Sequence, residues 1–190
     1  MKAIVKTGIL LATVTVTLLL VSFTLAGSLY DIAVKDIDGR SLDLNNYRGK
    51  KMMFIILSGS EPDSIMNQYS LFCNKHKDSL VIVGISSLED GYTEANKAVV
   101  KKRFHNNNLS FLLTEAMYTR KASGAQQSQL MQWLTNKNLN THFDQDVRGT
   151  GHKFFVDETG ELYAVMPPEA PLTHPIFERI INRPKKNHSN

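Results

Sequence analysis

Met52-Met53-Phe54-Ile55-Ile56-Leu57 and, after one intervening segment, Leu80-Val81-Ile82-Val83-Gly84-Ile85 decide the fold. Each is a continuous apolar run without the polar alternation of a half-exposed strand, the pattern of a strand covered on both faces. Between them Ser58-Gly59-Ser60-Glu61-Pro62-Asp63-Ser64 reads as a loop in which Asp63 or Ser64 offers an N-cap, and residues 65–77 carry helical spacing. Strand, helix and strand in this order form a β-α-β unit, with parallel strands and a right-handed crossover. The sequence therefore predicts an α/β domain.

Upstream, residues 29–34 alternate apolar and polar, Asp36-Ile37-Asp38-Gly39 supplies a turn, and Leu42-Asp43-Leu44 returns, which together predict an N-terminal hairpin. Downstream, residues 93–105 read as an amphipathic helix with Lys97, Lys101 and Lys102 on a solvated face. Residues 109–113 suit a short strand, and residues 128–136 a helix whose Trp133 belongs to the core. Residues 138–151 are irregular. Two strand-like runs then flank Asp157-Glu158-Thr159-Gly160 as a hairpin, and residues 173–182 make a last helix. No internal repeat is visible.

The first 27 residues stand apart. Lys2 and Lys6 precede an uncharged apolar run from residue 8 to residue 26, and Ala26, Gly27 and Ser28 are small enough for a signal-peptidase cut. The run lies between the length of a signal core and the roughly 20 residues that cross a bilayer, so residues 1–27 are a signal peptide or an N-terminal membrane anchor. Either way the two lysines place the rest of the chain outside the cytoplasm, in a periplasmic or extracellular setting. One domain over residues 28–182 and a loose polar tail over 183–190 account for the remainder.

Composition narrows the chemistry. The 190 residues hold one cysteine, Cys73, which excludes an internal disulfide, a paired-cysteine redox motif and a multi-cysteine zinc site. The net charge is +4, but removing Lys2 and Lys6 from the 22 basic residues leaves 20 against 18 acidic ones. With no dense basic patch interleaved with aromatics, nucleic acid is not an expected partner. There is no nucleophile-elbow motif, phosphate-binding loop or dinucleotide fingerprint, and no cofactor is expected.

Several strings narrow the α/β reading further. Ser28-Leu29-Tyr30-Asp31, then Val34-Lys35-Asp36-Ile37-Asp38-Gly39 and Tyr47-Arg48-Gly49-Lys50, resemble the opening of a glutathione peroxidase. Asn67-Gln68-Tyr69 resembles the helix after that family's catalytic loop. Lys153-Phe154-Phe155-Val156-Asp157 with Gly160 and Leu162 resembles its later hairpin, and Ala170-Pro171-Leu172 its approach to the last helix. The resemblance covers nearly all of residues 28–181. It implies a thioredoxin-like fold of the glutathione peroxidase type, a central mixed sheet flanked by helices with an N-terminal hairpin, and peroxide defence as the family's activity.

The family's four catalytic positions carry other residues here. Counting from the first buried strand puts the nucleophile position at Glu61, and counting back from Asn67 puts it at Asp63. The glutamine position falls on Glu89, and the tryptophan and asparagine positions on Gly149 and Thr150. Peroxide reduction needs a thiolate that becomes a sulfenic acid and is recycled by a second thiol, which no carboxylate can replace. Cys73 is the one possible substitute, but it lies about two turns into the helix, where the helix dipole no longer favours a thiolate; its ordinary reading is a small packed residue. Glu61, Asp63 and Glu89 are expected near one another at the C-terminal ends of adjacent parallel strands, the usual ligand end of an α/β sheet. His142, Asp144, Asp146 and His152 are metal-ligand types without regular spacing, and polar loop chemistry is their ordinary reading.

Two functions follow. One is an exported or membrane-anchored, degenerate peroxidase-like domain that serves as a binding or scaffold module. The other is a thiol-dependent peroxidase or other oxidoreductase acting through Cys73, with a thiol reductant or a protein as partner.

Overall fold

The computed structural model describes residues 27–184, so the leader before Gly27 and the tail from residue 185 lie outside the described residues. Five strands form one sheet: β1 (Lys51–Leu57), β2 (Leu80–Ser86), β3 (Leu112–Leu113), β4 (Lys153–Val156) and β5 (Leu162–Met166). Their spatial order is β3-β2-β1-β4-β5. The β1/β2 and β2/β3 pairs are parallel, and the β1/β4 and β4/β5 pairs are antiparallel. This is the mixed sheet that the sequence predicts.

Alternation along the central strands divides the core in two. Met52, Phe54, Ile56, Val83, Ile85, Phe154 and Val156 point to one face, where they meet Leu29, Tyr30 and the helix α3 (Gln129–Thr135). Met53, Ile55, Leu57, Ile82 and Phe155 point to the other, under α1 (Asp63–Lys75) and α5 (Ile176–Ile181). All seven residues of β1 are buried, which is why its sequence shows no polar alternation. Between β2 and β3 lies α2 (Glu94–Asn106), started by a reciprocal capping box between Thr93 and Asn96. A short α4 (Lys137–Asn140) occupies part of the stretch expected to be irregular. Among the described residues no helix is long and apolar enough to cross a membrane.

Three boundaries differ from the sequence reading. The N-terminal hairpin closes through a single bridge, Lys35 to Ser41, and its expected first strand begins as a 3-10 turn over Leu29–Asp31. Leu29 and Tyr30 are consecutive and both buried, at 1% and 4% exposure, in one core cluster. An alternating strand would send one of them to the opposite face. Neither Asp63 nor Ser64 caps α1; Pro62 holds the N-cap position without a side-chain bond, and Asp63 is the first helical residue. The last helix starts at Ile176 instead of residue 173, because Pro175 restricts His174 before it and fits only the start of a helix.

Candidate functional site

The loop after β1 folds back on itself. Ser58 N–H donates to Glu61 Oε2 at 3.1 Å, and Glu61 N–H donates to the Ser58 carbonyl at 3.4 Å. Gly59 N–H donates to the Asp90 carbonyl at 3.2 Å, which draws this loop onto the one after β2. A Cβ on Gly59 would lie 2.3 Å from the Gly91 carbonyl oxygen, so the approach requires glycine. Arg103, reaching over from α2, donates from Nε to Asp63 Oδ1 at 3.0 Å and from its guanidinium to the Glu61 carbonyl at 2.6 Å. The crevice among Ser58, Gly59, Glu61, Asp63, Met66 and Arg103 has a volume of about 10 Å³, room for a single water.

Glu89 follows β2, and its carboxylate turns toward the segment that precedes α3. It accepts from Thr119 N–H at 2.9 and 3.0 Å, Arg120 N–H at 2.9 Å and Ser123 Oγ at 2.8 Å. Burial pushes its pKa up, but these donors outweigh burial and hold it down at about 2. Beside it, Asp90 accepts from Ser87 Oγ at 2.7 Å and from Arg120 at 2.6 Å.

Gly149 and Thr150 lie where the approach to β4 runs beside the end of β1. Ile56 N–H donates to the His152 carbonyl at 3.0 Å, and Gly151 N–H donates to the Ile56 carbonyl at 2.7 Å. The positions singled out in the sequence thus gather at one end of the sheet, but their functional groups diverge. Among the described residues no hydrogen bond or ion pair joins Glu61 or Asp63 to Glu89. Each carboxylate instead fastens a different piece of backbone or cation.

Cys73 sits away from this end. It is 7% exposed, ten residues along α1 from Asp63, and its thiol donates to the Ser110 carbonyl at 3.0 Å. That separation is about 15 Å of helix. Leu80, Ile82 and Phe111 share its core cluster, and burial pushes the thiol pKa up, away from thiolate character. A cavity of about 190 Å³ lined in part by Tyr47, Cys73, Lys77 and Ser110 adjoins it.

The four metal-ligand candidates are engaged separately. His142 Nδ1 faces the Asn140 carbonyl and Thr141 Oγ1, Asp144 pairs with Lys121, and Asp146 Oδ1 accepts from the Lys121 and Val147 N–H groups. His152 is fully buried; its Nδ1 accepts from Arg148 N–H at 3.1 Å, which puts the ring proton on Nε2. Burial, helped by the positive charges of Arg148 and Lys153, lowers its pKa to about 4. Among the described residues no group of three or more such side chains could hold one metal ion.

Arg103 and Lys153 at this end of the molecule escape sequence reasoning, as do the contacts of Lys101 and His105. Arg103 belongs to a helix whose basic run reads as a solvated face, yet it ties α2 to the β1 loop. Lys101 and His105 of the same helix both reach Asp38 Oδ1, at 2.6 and 3.1 Å. Lys153 is 2% exposed and donates to the Gly151 and Ala170 carbonyls at 2.6 and 2.9 Å, 5.7 Å from the centre of the Phe177 ring. Burial lowers its pKa to about 8. The only sequence signal is a lysine at the first position of a buried strand, which by itself suggests an exposed strand end.

No protein-family model matches the sequence, and no curated protein gives a significant sequence match. Solved structures do match in fold. The T. cruzi protein GPX1 superposes with a TM-score of 0.58 at 12% identity, over 81% of this chain and 94% of that one. Trgpx in its apo form gives 0.57 at 15% identity, over 81% and 96%. A thiol-disulfide isomerase from Corynebacterium glutamicum gives 0.57 at 13% identity, over 84% and 98%. At such identities the likeness is one of fold, and that fold is the thioredoxin-like α/β fold of the glutathione peroxidase type.

Proposed function

We propose that this domain works outside the cytoplasm as a binding or scaffold module built on a peroxidase-type fold, without peroxidase chemistry of its own. The observation that carries the reading is the separation of the one thiol from the loop at the end of β1. That loop holds Glu61 and Asp63, which have no reversible oxidation chemistry, and its crevice admits a single water. Cys73 lies on the third turn of α1 and is a hydrogen-bond donor to a backbone carbonyl, which stabilises the thiol over the thiolate. The extracytoplasmic setting is supported by Lys2 and Lys6 ahead of an uncharged run over residues 8–26.

The test is turnover of hydrogen peroxide and a lipid hydroperoxide by purified protein, with glutathione or thioredoxin as reductant, beside Cys73→Ser. Equal background rates are expected for both proteins. Turnover at least tenfold above background that disappears in Cys73→Ser would overturn the proposal in favour of a thiol-dependent oxidoreductase.

A further inference from the structure

We infer that residues 8–26 stay on the chain as a membrane anchor and hold the α3 side of the sheet against the lipid headgroups, leaving the α1 and α5 side facing the solution. The inference rests on the extracytoplasmic reading above and adds an orientation to it. Its basis is where the apolar run ends relative to the first fixed atom of the fold. The Gly27 carbonyl accepts a hydrogen bond from Trp133 Nε1 at 3.0 Å, the Ser28 hydroxyl caps the first 3-10 turn, and Leu29 and Tyr30 are already core. Ala26, the last residue of the run, is one peptide unit, about 3.8 Å, from Gly27. No linker separates the two.

The length fits as well. An uncharged run from residue 8 to residue 26 would, as a helix, cover about 28 Å, against roughly 30 Å of hydrocarbon in a bilayer. A run that crosses the membrane delivers Gly27 at headgroup depth, and without slack the surface around Gly27 goes there too. That surface is a shallow depression lined by Asp31, Ile32, Gln129, Gln132, Trp133 and Leu139, with Asp31 its only charge. Two amides and two partly buried aliphatic side chains suit the boundary between acyl chains and headgroups, while the Trp133 indole, 6% exposed, stays in the core and ties Gly27 to this face. The same contacts oppose removal of the leader once the domain has folded, because a peptidase cutting after Ala26 must draw Gly27 and Ser28 out of the fold.

The sheet supplies the orientation. Leu29, Tyr30 and Trp133 pack on the face of β1 that carries Met52, Phe54 and Ile56, while α1 and α5 cover the opposite face. The groove of about 470 Å³ between α1 and the start of α5, floored by Leu71, Phe72 and Leu172, therefore opens away from the bilayer. Leu71 is 69% exposed there.

The test uses the full chain reconstituted in phosphatidylcholine vesicles doped with nickel-chelating lipid. A nitroxide is attached at Gln129→Cys, at Gln132→Cys as a second probe of the same face, or at Gln68→Cys on α1; Cys73, being buried, is the background thiol. Relaxation of the label by headgroup nickel is expected to be at least threefold faster at the two α3 positions than at Gln68→Cys. Equal enhancement on both faces, or faster relaxation at Gln68→Cys, would overturn the orientation while leaving the proposed function intact. The mass of the intact protein, recovered from a cell that exports it, is read first. A chain beginning at Gly27 or Ser28 would overturn the anchor itself, and peroxide turnover bears on neither result.

Discussion

Glu89 illustrates how a carboxylate at the expected ligand end of a sheet can be structural. Its oxygens are saturated by the Thr119 and Arg120 N–H groups and the Ser123 hydroxyl, so it fixes the segment between β3 and α3 instead of facing the loop after β1. Hydrogen bonds to a charged acceptor are worth roughly 1.5–3 kcal/mol each, though they are not additive when they share one group. Glu89→Gln keeps the shape, loses the charge and places an amide N–H₂ where an acceptor is needed. A loss of about 2–3 kcal/mol in urea unfolding is expected. A loss below about 0.5 kcal/mol would mean that the network is not the clamp described. Sequence reasoning found the residue but not its role, because its partners lie about 30 positions further on in a stretch without periodicity.

At the scale of elements, the β-α-β unit was legible because burial on both sheet faces leaves a continuous apolar run that few other structures produce. The start of the N-terminal hairpin was less legible, since two adjacent core residues, Leu29 and Tyr30, override an alternating pattern that otherwise suits a strand. The role of α2 was illegible for a different reason. None of its residues is buried, so hydrophobic spacing says little about where it docks, and ion pairs do much of the fastening. Arg103 grips Asp63 and the Glu61 carbonyl, while Lys101 and His105 grip Asp38. The Arg103 and Asp63 side chains are 35% and 58% exposed, so Arg103→Ala is expected to cost only about 0.5–1 kcal/mol globally. Its larger effect should be local: amide hydrogen exchange in α2 and in residues 58–62 accelerates at least several-fold, while β1 keeps wild-type protection. Unchanged exchange in both segments would show that α2 is held by Val100 and Phe104 against the core rather than by its cations.

For the whole molecule, these local environments combine into one dependence on pH. Glu89 has a folded pKa of about 2 against an ordinary 4.5, so the unfolded chain binds more protons between those values and stability falls as pH drops through them. His152 has a folded pKa of about 4 against 6.5. It is kept neutral in the fold, and unfolding lets it take up a proton anywhere in that window, so stability also falls as pH drops from 6.5 to 4. Lys153 has a folded pKa of about 8 against 10.5, and the unfolded chain again binds the extra proton, so stability rises as pH climbs from 8 to 10.5. All three slopes have one sign, although their windows differ. Urea midpoints should therefore climb from pH 2 to about 6.5, level off near neutrality, and gain a further contribution from Lys153 above pH 8, which the raised thiol pKa of Cys73 opposes once pH passes the free thiol's 9.0. The limb between pH 4.5 and 6.5 belongs chiefly to buried histidine, with His76, also lowered by burial, adding to it. His152→Gln should flatten most of that limb while leaving the steeper carboxylate limb below pH 4.5 in place. A midpoint that is constant from pH 4.5 to 6.5 in the unmodified protein would mean that His152 is solvated in solution instead of being sealed between the Arg148 N–H and the Phe154 ring.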